Sequence, residues 1–199
     1  MTGAWFVFAL FPLILGAESI AAVQGTRGAL STLCPKAGTQ VEIRAGVRIF
    51  DRVFTGADSS DPSLCRFKND NRATSSLYYG ILARNVSVEE RSKFGSLVEG
   101  SSTEFLIVTT VKIITATGHT GPAEVERRWK RLGLEEIKIA GKAVPAVAFE
   151  ATTESRTGHI YQTVQRLWFD PSLRIWIKSQ TISSHGIREP VDWEVNKFK

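Results

Sequence analysis

The sequence predicts a mainly β, exported domain: a curved antiparallel sheet or half-barrel meander with two short helices and one disulfide. Three observations carry this. Residues 134–182 read as four strands joined by three turns, residues 105–116 form a long apolar run of strand character, and two cysteines, Cys34 and Cys65, follow an apolar leader. An even cysteine count behind such a leader favours a single disulfide.

The leader comes first in the chain. Residues 4–17 (AWFVFALFPLILGA) carry no charge and are too short for an ordinary membrane span, and Ser19-Ile20-Ala21 offers small residues to a signal peptidase. Residues 1–21 are therefore expected to be a signal peptide cleaved after Ala21. Residues 1–3 lack Lys and Arg, so retention as an uncleaved anchor stays open. The remaining 199 − 21 = 178 residues suit one exported domain, 22–199, with a single core. Its charge is 25 − 19 = +6, because the leader removes one Glu and no Lys or Arg. A moderately basic surface suits acidic partners without deciding the fold. No second apolar run is long enough to span a membrane.

Residues 34–84 form the disulfide-held lobe. Closing a ring of about 30 residues contributes roughly 3 to 4 kcal/mol on the loop-entropy argument. Residues 40–44 and 47–54 read as two strands around Ala45-Gly46, and the Asp58 and Asp61 region as Asx-capped turns, since an EF-hand's other ligands are absent. Residues 65–68 and 75–83 suggest a further strand pair, although 77–82 carries no decisive period.

Ser87-Val88-Glu89-Glu90 matches a capping box, and Phe94, Leu97 and Val98 share one helical face before Gly100. The run 105–116 has apolar residues on both faces and is expected inside the sheet. Pro122 then suits the first turn of a second helix, with Val125, Trp129 and Leu132 aligned and Gly133 ending it. Arg127, Arg128, Lys130 and Arg131 would form its basic face.

The C-terminal meander spans about 105–197. Ile137 and Ile139 alternate with Glu136 and Lys138, and Gly141-Lys142 suits a two-residue type II′ hairpin. The strand at 143–151 contains Pro145, so it is at an edge, bulged, or free on one side near its start. The polar run 152–158 makes the second connection and Pro171-Ser172 the third. That last turn would set Phe169 opposite Arg174 and Trp168 opposite Ile175, leaving apolar bulk on both faces. One face would pack on the core and the other needs a helix, a partner or a ligand. Residues 191–195 alternate as a closing strand.

No catalytic set emerges. His119, His159 and His185 sit in turn-like settings without zinc spacing, and neither a nucleophile elbow nor a phosphate-binding glycine loop occurs, so no metal or cofactor is expected. The functional expectation is a non-enzymatic periplasmic or secreted envelope protein that binds a lipid or other amphipathic small molecule on the sheet, with Leu167, Trp168 and Trp176 as contacts. The plainer alternative is that all three are core. A rival from another class is an interaction protein contacting an anionic envelope polymer through Arg127, Arg128, Lys130 and Arg131; nucleic acid is not favoured. A third is a hydrolase whose site assembles from scattered residues.

The cysteine-bounded segment, CPKAGT followed by TGADSSDPSLC, resembles the corresponding module of exported alphaproteobacterial proteins of rhizobial type, a family with no established activity. The pattern of residues 129–133, 144–149 and Trp168-Phe169-Asp170-Pro171, ending in Lys178, is similar to meanders of periplasmic curved-sheet proteins, and more distantly to the outer-membrane lipoprotein carrier architecture. That second resemblance implies an apolar concave face. Neither assigns a role to a residue.

Overall fold

The protein is described from a computed structural model, which covers residues 33–70, 72–114, 120–156, 161–186 and 190–199. The expected leader and cleavage position, with His119 and His159, lie outside the described residues. Among the described residues, ten strands make one open antiparallel sheet with a single helix, and none of these elements is a helix long and apolar enough to cross a membrane.

The strands are β1 (Gln40–Ala45), β2 (Arg48–Ala57), β3 (Leu64–Asn69), β4 (Ser75–Tyr78), β5 (Glu104–Ile114), β6 (Thr120–Ile139), β7 (Lys142–Ser155), β8 (Gln162–Asp170), β9 (Ile175–His185) and β10 (Trp193–Phe198). Their order is β4-β3-β2-β1-β10-β9-β8-β7-β6-β5. The closing strand β10 thus joins the disulfide lobe to the meander, pairing with β1 on one side and β9 on the other. Cys34 and Cys65 form the expected disulfide, with Cα atoms 5.1 Å apart. Asx turns form as read: Asp58 Oδ1 accepts from the Ser60 amide at 2.9 Å and Asp61 Oδ1 from the Ser63 amide at 3.0 Å.

Helix α1 (Val88–Glu99) starts where the capping signal placed it. The Ser87 hydroxyl accepts from the Glu90 amide at 3.0 Å, a contact worth about 1 kcal/mol. The Glu90 side chain does not return the favour to the cap; it turns toward the sheet instead, as described below.

The second helix does not form. Residues 120–139 are one twenty-residue strand, β6, paired along β5 and β7. Val125 and Trp129 are buried, as an alternating strand requires, but the inward position between them is Arg127, which hides the period of two from a hydrophobicity reading. Gly133 is not a helix stop. It sits at φ +117° beside a register shift between Arg131 and Gly133, a bulge that leaves Leu132 partly exposed. Pro122 is tolerated because pairing with β7 begins only at Val125.

Other expectations shift by small steps. The hairpin loop is Ala140-Gly141 rather than Gly141-Lys142: Ile139 pairs with Lys142, and both loop residues have positive φ, the type I′ geometry that matches strand twist. β7 runs on through 152–155, so part of the polar run is strand. Pro145 lies before the first β7–β8 pair, Val147 with Phe169, and is free on that side as expected. The β8–β9 connection is four residues, which sets Phe169 opposite Trp176 and Trp168 opposite Lys178. The strand expected inside the sheet, β5, is its edge: Ile107 is buried, whereas Leu106 and Val108 on its other face are exposed.

The sheet is apolar on both faces. One cluster joins Val41, Ile43, Phe54 and Phe67 of the lobe to Trp168, Ile175 and Ile177. The other lies under α1, where Phe94 and Leu97 pack on Trp129, Phe149, Leu167, Phe169 and Trp176. The face needing cover is covered by the helix.

Candidate functional site

Beneath the N-terminal half of α1 the helix does not fill the space over the sheet. A cavity of about 470 Å³ remains, within the size range of small-ligand sites. Its floor is a diagonal of same-face residues: Thr109 on β5, Arg127 and Trp129 on β6, Thr153 on β7, Gln165 and Leu167 on β8. Strand alternation puts these side chains on one side, and antiparallel register lines them up across strands. Leu82, Asn85, Val86 and Glu90 close it from the helix side, and Ser179 and Trp193 from the far end.

At its edge lies an ion pair that crosses from helix to sheet. Arg127 Nη1 donates to Glu90 Oε1 at 2.7 Å, with the Glu90 side chain almost wholly buried and that of Arg127 one-fifth exposed. Pairing makes a buried carboxylate tolerable, since an unpaired one would cost several kcal/mol. The satisfaction is incomplete. Glu90 Oε2 and the indole nitrogen of Trp129 have no hydrogen-bond partner among the described residues, although both residues line the cavity. Both atoms are shut off from solvent, so their missing partners are a cost within the fold rather than contacts open to a bound molecule. The cavity lining therefore offers the hydroxyl and amide groups of Thr109, Thr153, Gln165 and Ser179 beside indole and aliphatic walls. That is a surface for a molecule with both hydroxyl-like and apolar parts.

The three residues expected to contact a ligand separate. Leu167 lines the cavity. Trp176 is core beneath α1: its ring centroid is 5.9 Å from Phe94 and 5.1 Å from both Phe149 and Phe169, and its indole donates to the Tyr79 carbonyl at 2.8 Å. Trp168 is on the opposite face, donating to Glu135 at 3.0 Å, with Arg166 on the same carboxylate. The four expected anion contacts also separate, because a strand alternates where a helix would have grouped them. Arg127 points to the cavity and Arg131 to the same side, near Gly100, while Arg128 and Lys130 stand on the other face amid Glu104, Glu126, Glu150 and Glu154. The anionic-polymer reading loses the single basic face on which it was built.

Among the described residues there is no group of three or more side chains suited to a metal ion. His185 is exposed at the end of β9 rather than in a loop. Sequence reasoning missed Glu90, Arg127 and Trp129 as a set. The available signal was polar residues at inward strand positions, Thr153 and Gln165 on the same side as Leu167.

No protein-family model and no curated protein matches the chain. Among solved structures, the chain is similar to the hypothetical lipoprotein YmcC from Escherichia coli, at 17% identity and a TM-score of 0.51, covering 80% of this chain and 83% of that one. At that identity the likeness is one of fold. It supports the curved antiparallel sheet as a shared architecture.

Proposed function

We propose that the protein is an exported component of a cell envelope that binds an amphipathic small molecule in the cavity between α1 and the sheet. The observation that carries this is a cavity of about 470 Å³ in which the polar groups of Thr109, Thr153, Gln165 and Ser179 stand beside tryptophan and leucine walls, at the edge of the buried Glu90–Arg127 pair. The disulfide suits an oxidising compartment, and the fold is similar to that of a hypothetical lipoprotein. Binding rather than turnover is proposed because Glu90 is committed to Arg127 and the described lining residues include no second carboxylate, histidine or cysteine.

The test uses Nile red, an uncharged dye that brightens in apolar surroundings, displaced by octyl glucoside below its micellar concentration. Ala151 of β7 lines the cavity beside Trp129, and saturable dye binding, lost on narrowing the cavity by Ala151→Leu in a variant that keeps its unfolding midpoint, is the expected result. Binding unchanged by Ala151→Leu would contradict the proposal.

A further inference from the structure

A second pocket, of about 200 Å³, lies between β1, β2 and the turn after β4. Its walls are apolar: Ile43, Phe50, Leu77, Ile81 and Trp193. Its one charged lining residue is Arg52 of β2. The guanidinium is stacked 4.2 Å from the Phe67 ring centroid and 5.8 Å from that of Phe50. Its Nε donates to Asn69 Oδ1 at 2.9 Å, which fixes the plane of the fork.

Unlike Arg127, Arg52 has no carboxylate partner among the described residues, and its two terminal nitrogens make no hydrogen bond to them. Arg52 is half-buried, and desolvation lowers its pKa to about 10, so it stays protonated at neutral pH with its terminal nitrogens still open to solvent or a ligand. A cation in this state gains most from a planar anion that accepts from both terminal nitrogens at once. The adjoining aliphatic and aromatic wall would take a hydrocarbon chain attached to that anion.

We propose that this pocket is a second binding site, for a single-chain aliphatic ligand with an anionic head, in which Arg52 holds the head and the Ile43, Leu77 and Ile81 wall holds the chain. The site is independent of the first cavity, although the two share Ile81 and Trp193, because the first holds an already neutralised Arg–Glu pair and gives an anion no advantage.

The test follows the side-chain Nε–Hε signals of Arg52 and Arg127 by NMR in the full disulfide-bonded protein, assigned through Arg52→Lys and Arg127→Lys. Octanoate is expected to shift the Arg52 signal saturably and leave Arg127 still, binding at least tenfold more tightly than octan-1-ol and than acetate. Octyl phosphate in place of octanoate separates the head groups: whichever binds more tightly identifies a phosphate or a carboxylate source. Equal affinity for octanoate and octan-1-ol would overturn the proposal, as would a shift at Arg127 alone or no shift at millimolar octanoate. These comparisons are made on the unaltered protein and do not depend on a variant folding. Arg52→Gln adds a second arm, in which the preference for octanoate over octan-1-ol is expected to vanish.

Discussion

Replacing Arg127 by Met should be among the most costly single changes in the sheet. It leaves the Glu90 carboxylate in place, almost fully buried, with its one side-chain donor among the described residues gone. Breaking a buried pair from one side costs about 3 to 5 kcal/mol in general. Arg127 is one-fifth exposed and the adjoining cavity admits water, so the low end, about 3 kcal/mol, is the appropriate figure. With a urea dependence of about 1 to 3 kcal/mol per molar, the unfolding midpoint should fall by about 1 to 3 M. Glu90→Leu combined with Arg127→Met should recover most of that loss, because two apolar groups replace the pair instead of orphaning one charge. Urea denaturation of the wild type, both single variants and the double variant closes the cycle, with a coupling of about 2 kcal/mol or more expected. A loss below about 1 kcal/mol for Arg127→Met, or a double variant that costs the sum of the singles, would refute the reasoning.

Gly95 lies where a Cβ would come within 2.5 Å of the Tyr79 hydroxyl, and the Tyr79 ring is held against Phe94 with centroids 5.6 Å apart. Gly95→Ala should therefore destabilise by about 1 to 3 kcal/mol, and by less in a Tyr79→Phe background, as thermal melts would read. Reducing the Cys34–Cys65 bridge should lower stability by roughly 3 to 4 kcal/mol, measured as the difference between urea midpoints with and without reductant. Burial raises the Tyr79 pKa, so the folded state holds that proton more tightly than the unfolded chain does. Stability from this group is complete below the unfolded phenol pKa, about 10, and falls as pH rises through the folded value. Tyr79→Phe should flatten that alkaline decline in denaturation curves.

The elements legible in the sequence were those whose signals are local. The Ser87 cap, the Gly46 hairpin, the Asx turns at Asp58 and Asp61, and the two-faced apolar character of residues 167–169 and 175–177 each depend on neighbours within a few positions. What was not legible depends on partners far along the chain. Arg127 occupies an inward strand position because Glu90, thirty-seven residues earlier, receives it. Without that partner on the page, Val125, Trp129 and Leu132 look like a helical stripe and Gly133 like its end. β5 reads as a central strand because its apolar residues fall on both faces, yet only the face of Phe105 and Ile107 packs under the helix. The candidate site follows the same logic. Leu167 was found from its own strand, whereas Glu90, Trp129 and Gln165 meet only once β6, β7 and β8 are in register.

The most direct test of the central claim is native mass spectrometry of the protein isolated from its own host, followed by organic extraction of whatever accompanies it. A bound small molecule with polar and apolar parts is expected at near-stoichiometric amount, and Ala151→Leu should release it. An apoprotein mass under gentle ionisation, with nothing recovered in the extract, would contradict the account.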